Sequence, residues 1–203
     1  MKTKLLFSLF VLIFSAHLNA QTVNEVWTDY GGFWNSSSTS QNSIQPNDTH
    51  HILAFRYGTT IYSTNVNNQI LDDNGVTGYT QVEFRALPIA SLPTSGSSSY
   101  FVGLGAEFDG IPNGVDSSST EPFAAITNGS EVADFLTRGI KGLDLGSCLT
   151  NIPSGTTAEF NLSSAGITVA NIGDGIPDLL VSQIAQPTTT GVDQLRFVNS
   201  SGV

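Results

Sequence analysis

The chain is predicted to be all-β, an antiparallel β-sandwich of jelly-roll type with one short inserted helix. Three observations lead there. Apolar residues recur at every second position rather than at helical spacing. The segments marked this way are short and are punctuated by Gly, Asn and Ser, as two packed antiparallel sheets require. No fixed-period repeat is visible, which argues against a propeller or solenoid.

The first twenty residues are set apart from the fold. Lys2 and Lys4 precede the apolar run from Leu5 to Ala16, and Leu18-Asn19-Ala20 offers a small-residue cleavage site, the pattern of a secretory signal peptide. Residues 21–203 are then expected to form a single β-sandwich domain. About 180 residues can bury well over half of the surface the unfolded chain exposes, enough for one core.

The first strand signal after that leader is His51 to Tyr57, where Leu53, Phe55 and Tyr57 are expected to share one face. Gly58-Thr59 turns the chain into Ile61 to Thr64, giving a β-hairpin. Asp72-Asp73-Asn74-Gly75 is a second turn signal, because Asn and Gly tolerate positive φ. Strands are expected at Val82–Ala86 and Tyr100–Phe108, on either side of the loop from Pro93 to Ser99. The inserted helix is placed at Glu131–Arg138, with Val132, Phe135 and Leu136 on one face, Ser130 as its N-cap and Gly139 as its end. Strands resume at Ala158–Leu162, Gly166–Val169, Leu179–Ala185 and Gln194–Val198.

Composition narrows the function classes. Charged residues are only 12% of the chain, and without Lys2 and Lys4 five basic residues face 17 acidic ones, a formal charge of about −12. Binding nucleic acid takes clustered Lys and Arg to neutralise phosphates, so no nucleic-acid partner is expected. No segment supplies the roughly 20 apolar residues of a bilayer span, so no membrane span is expected either. The single cysteine, Cys148, rules out an intramolecular disulfide and reads as a small buried hydrophobe.

Trp27, Tyr30, Phe33 and Trp34 concentrate aromatic area within eight positions, with Gly31-Gly32 between them. Such rings can stack on the apolar face of a pyranose while Asp and Asn bond its hydroxyls, which makes Trp27, Tyr30 and Trp34 the candidate ligand-binding residues. The competing reading is that aromatics near the start of a sandwich plug its core. His50 and His51, as successive strand residues, point to opposite faces and do not form a zinc site with the distant Cys148. Glu107 and Asp109 share a strand face and could act as the carboxylate pair of a retaining glycosidase. Gly110-Ile111-Pro112 ends that strand early, and acids flanking a loop are the simpler account, so no catalytic residue is assigned. Gly103-Leu104-Gly105 lacks the helix and third glycine of a dinucleotide loop.

Ala170-Asn-Ile-Gly-Asp-Gly-Ile-Pro-Asp178 resembles the end of the calcium-binding repeats of thrombospondin type 3 and related bacterial surface proteins. That resemblance implies Ca²⁺ held by Asp174 and Asp178. Ala170 and Ile172 stand where the pattern has its first two carboxylates, and calcium takes six to eight oxygens. An Asp-Gly turn leading into Leu179–Val181 is the alternative. Val26 to Trp34, Gly139 to Ser147 and Ile172 to Val181 together resemble the N-terminal region of large Bacteroidota surface proteins exported by the type IX secretion system. That resemblance implies a secreted or cell-surface address and suggests a fragment of a longer protein. The expected role is a non-catalytic binding or adhesion module, with a polysaccharide or cell-surface glycan as partner. The alternatives are a glycoside hydrolase and a purely structural spacer.

Overall fold

A computed structural model describes residues 23–37, 46, 48–91, 101–103, 119–121, 134, 136–149, 157–162, 171, 173–182 and 195–198. Strands dominate the described residues, which also include a short α-helix, Asn68–Asp73 (α1). The strands are β1 (Val23–Thr28), β2 (Trp34–Asn35), β3 (Ile52–Tyr57), β4 (Thr60–Ser63), β5 (Thr80–Gln81), β6 (Ile89–Ser91), β7 (Phe101–Gly103), β8 (Ser119–Glu121), β9 (Ser147–Leu149) and β10 (Glu159–Phe160). Among the described residues the largest sheet has the order β2-β1-β3-β4-β5, and there are also a three-stranded sheet β8-β7-β9 and a β10-β6 pair. Every described pairing is antiparallel except β4 with β5.

The expected hairpin forms. Ala54 to Tyr57 pairs with Thr60 to Ser63, and Gly58 takes the turn at φ 59°. β3 lies at the centre of its sheet, and Ile52, Leu53, Ala54 and Phe55 are all buried. A central strand covered on both faces reads as a continuous apolar run instead of an alternation.

Leu53 and Phe55 do not share a face, contrary to the simple alternation. The ladder shifts register between Trp27 and Thr28, so that Trp27 pairs with Ala54 while Thr28 pairs with Ile52, leaving Leu53 as an extra residue. Such a bulge resets the side-chain alternation. Leu53 and Ala54 then pack with Trp27 and Leu71, whereas Phe55 joins Ile52, Tyr62 and Val82 on the opposite side. Thr64 holds the bulge: its backbone N–H donates to the Leu53 carbonyl at 2.9 Å and its hydroxyl reaches the Ile52 and Leu53 carbonyls at 2.7 and 3.0 Å.

The two faces are covered differently. On one, Leu71 and Ile70 of α1 pack with Val66, Val76 and Tyr79 against Trp27 and Leu53. On the other, Phe55 stacks on Tyr62 (centroids 5.6 Å apart) and meets Phe84 edge-on at 5.1 Å, with Leu143, Leu145 and Leu180 packed alongside. α1 was not expected, and the Asp72-Asp73-Asn74-Gly75 signal turns out to be its C-terminus. Asn67 caps the start by accepting from the Ile70 N–H, and Gly75, at φ 77°, closes the end with its N–H on the Asp72 carbonyl. At under two turns the helix is too short to leave a periodic signal.

Other expectations shift. The strand placed at 82–86 pairs two residues earlier, as β5, although Val82 and Phe84 do enter the core and Glu83 points out. Residues 179–182 and 195–198 form no strand. Val181, Leu195 and Phe197 are 62%, 70% and 61% exposed, and a strand without a ladder partner has nothing to satisfy its backbone. Of the helix expected at 131–138, Asp134 and Leu136 are helical, Thr137 is already in a turn and Arg138 is outside the helix, and residues 131–133 and 135 lie outside the described residues. So do the signal peptide, the strand at 166–169 and most of 100–108. Among the described residues no helix is long and apolar enough to cross a membrane.

Candidate functional site

The aromatic opening separates into buried and accessible parts. Trp27 is 3% exposed and lies in the core against Leu53, Ala54 and Leu71. The Arg56 guanidinium sits 5.2 Å from its ring centroid, and Arg56 Nε is paired with Glu25 at 3.2 Å. Trp27 therefore serves as a core plug and offers no free ring face. Tyr30 and Trp34 are half-buried. Tyr30 begins the tight turn Tyr30–Gly32, and Trp34 lies on the edge strand β2 opposite Thr28. Gly31 and Gly32 take φ of 59° and 96°, and a Cβ at either would meet nothing within 4 Å, so the surface between the two rings is open. Positive φ favours glycine at both positions.

Beside this turn lies a cluster the sequence did not reveal. Asp29 accepts from the His51 backbone N–H at 2.6 Å through Oδ1 and faces His51 Nδ1 at 3.0 Å through Oδ2. His51 Nε2 is buried without a hydrogen-bond partner among the described residues and lies where a Cβ on Gly139 would come within 2.3 Å of it. A histidine oriented by a carboxylate is half of a nucleophilic triad, but general-base work needs the other nitrogen within reach of a substrate proton. A nitrogen sealed against backbone does not provide that. The pair instead ties the Asp29 turn to β3.

His50 points the other way. Its Nδ1 lies 2.7 Å from the Asp48 carbonyl, which can only accept, so Nδ1 carries the proton. Its ring meets Tyr30 edge-on at 5.9 Å, and its backbone N–H donates to Asp144 Oδ1 at 3.3 Å, an oxygen also bonded by the Gly146 N–H at 2.7 Å. Burial pushes the His50 imidazole below its ordinary value of 6.5, against the opposing pull of the Asp48 carbonyl and of Asp144 and Asp29. Asp29 is 22 residues from His51 and Asp144 is 94 from His50, so no spacing motif could have announced either contact.

Residues 173–176 form a tight turn. Asp174 Oδ1 accepts from the Ile176 N–H at 2.8 Å, an Asx turn, and Gly173 and Gly175 carry φ of 80° and 87°. Asp174 and Asp178 are both exposed. The Gly175 carbonyl accepts from the Tyr62 hydroxyl at 3.4 Å, and Leu180 docks on the sheet beside it. Of the residues expected to enter the core here, Val181 instead stays in solvent. Among the described residues no group of three or more His, Cys, Asp or Glu side chains is arranged to hold a metal ion. Glu107 and Asp109 lie outside the described residues, and Cys148 is placed on β9. No protein-family model, curated protein or solved structure matches the chain.

Proposed function

We propose that the chain is a non-catalytic carbohydrate-binding or adhesion module of a secreted, cell-surface protein, its strands forming a β-sandwich of jelly-roll type. One observation carries the proposal: two partly exposed rings border an open glycine surface, Tyr30 in the tight turn that follows β1 and Trp34 on the paired edge strand β2. Ring faces fixed by a rigid scaffold bind sugars at little entropic cost, because the ring position is set before the ligand arrives. The acidic surface and the resemblance to type IX-exported surface proteins agree with an extracellular address.

The test is a glycan array followed by titration of any ligand found. Tyr30→Ala and Trp34→Ala should each weaken binding by up to about tenfold, since a ring contact contributes roughly 0.5–1.5 kcal/mol beyond its buried area. Both variants should keep the wild-type melting temperature, whereas Trp27→Ala should lower it without serving as a binding control. A chain that binds no glycan on the array would be a structural spacer instead.

A further inference from the structure

The segment leaving β5 and the tight turn Ile140–Gly142 border a groove of about 410 Å³, within the roughly 300–1,000 Å³ common for small-ligand sites. Its floor is apolar and half-buried, made by Ala86, Pro88 and Ile89, and Thr137 stands on its wall. Gly142 lets the two walls meet. A Cβ there would lie 2.7 Å from that of Ala86 and 3.0 Å from the Thr137 carbonyl, and the Ala86 N–H donates to the Lys141 carbonyl at 2.9 Å across the join.

Two of the five basic residues beyond the leader, Arg85 and Lys141, line this one groove in an otherwise acidic chain. Their situations differ. Lys141 holds φ at 59°, a left-handed conformation that a non-glycine residue seldom adopts. Its ammonium donates to the Thr64 carbonyl at 2.9 Å and pairs with Glu83 at 3.0 Å, so its charge is met within the protein. Arg85 is exposed and makes no hydrogen bond or ion pair among the described residues, although its charge helps to hold the exposed Glu83 carboxyl low. A guanidinium whose N–H groups have no acceptor in the protein keeps its fork available to an anion at the lip of the groove.

The shape of the anion follows from the donors. Arginine offers two parallel N–H groups that match a carboxylate. The neighbouring Ala86 and Gly142 N–H groups are already spent on the Lys141 and Gly139 carbonyls, so they do not add the further donors that a sulfate or phosphate would use. An apolar floor beside that fork suits the C–H face of a pyranose. We infer that the groove binds a uronate residue of an acidic polysaccharide, with Arg85 holding the carboxylate and Pro88 and Ile89 receiving the ring. The inference rests on the carbohydrate reading above and adds a second site to it, chosen by charge.

Calorimetric titration of the chain with tetragalacturonate and with its methyl ester tests this directly, because the ester keeps the ring and removes the charge. The acid should bind at least tenfold more tightly than the ester. Arg85→Gln should abolish that preference at an unchanged melting temperature, and Arg85→Lys should restore it in part. Equal affinity for acid and ester, an Arg85→Gln variant that keeps the preference, or tighter binding of a sulfated galactan would each overturn the groove assignment. Neutral glycans bound on the array without any tetragalacturonate binding would overturn it too, while leaving the carbohydrate reading in place. A chain that binds neither charged nor neutral glycans would remove both.

Discussion

Gly139 shows how a single residue can set a local arrangement. Its φ of 77° with ψ of −169° belongs to backbone that side-chain-bearing residues avoid, and a Cβ there would lie 2.3 Å from His51 Nε2 and 3.0 Å from Asp144 Cβ. An alanine would push the imidazole off Asp29 and disturb the carboxylate that bonds the His50 and Gly146 N–H groups. Overpacking of this kind costs about 1–3 kcal/mol before any backbone strain is added. Gly139→Ala should therefore lower the urea midpoint with little change in slope. A variant as stable as the parent would show that His51 is not confined there. The sequence marked Gly139 as a helix terminator, which explains a glycine by conformation alone; the steric demand of a histidine 88 positions away was not legible.

At the scale of elements, the turn from Asn171 to Leu180 joins two roles the sequence kept open. The Ile176 N–H donates to Asp174 and holds the turn, and Leu180 with Tyr62 anchors it to the sheet. Asp174→Ala removes that bond and should cost about 0.5–1.5 kcal/mol. Melting temperatures measured with Ca²⁺ and with chelator should show the same loss. A loss that appears only with Ca²⁺ present would place the ion at Asp174 and Asp178. The same scale explains why α1 went unseen: Asp72-Asp73-Asn74-Gly75 carries turn chemistry, and turn chemistry serves a helix C-cap as well as a hairpin. Only the packing of Leu71 under Trp27 distinguishes the two.

For the whole molecule, the fold's response to acid follows from His50. Its folded pKa lies below 6.5 because burial penalises the imidazolium, so the unfolded chain binds a proton first as pH falls. Stability from this group is complete above about pH 6.5 and is lost as pH drops from there toward the folded value. Glu83, held low mainly by its hydrogen bond to Lys141, acts in the same direction below about pH 4.5, weakly because it is largely exposed. Between pH 7 and 5.5 the wild-type melting temperature should therefore fall, and His50→Asn, which keeps a donor near the Asp48 carbonyl, should flatten that slope. A parallel slope in the variant would assign the acid sensitivity to other groups.

The amino-acid order alone determined that the chain is strand-rich, that a hairpin turns at Gly58, and that Asp174 begins a turn, because each of these is decided by a few neighbouring residues and their φ preferences. Tertiary structure decided the rest. The bulge opposite Trp27 and Thr28 chose which face Leu53 and Phe55 occupy, α1 supplied the cover over Trp27, and the fold brought Asp29 to His51, Asp144 to His50 and Arg85 to Lys141. Those contacts join residues far apart in the chain. Local periodicity carries no record of them, since they exist only once burial of the sheet has repaid the entropy of closing the loops between them.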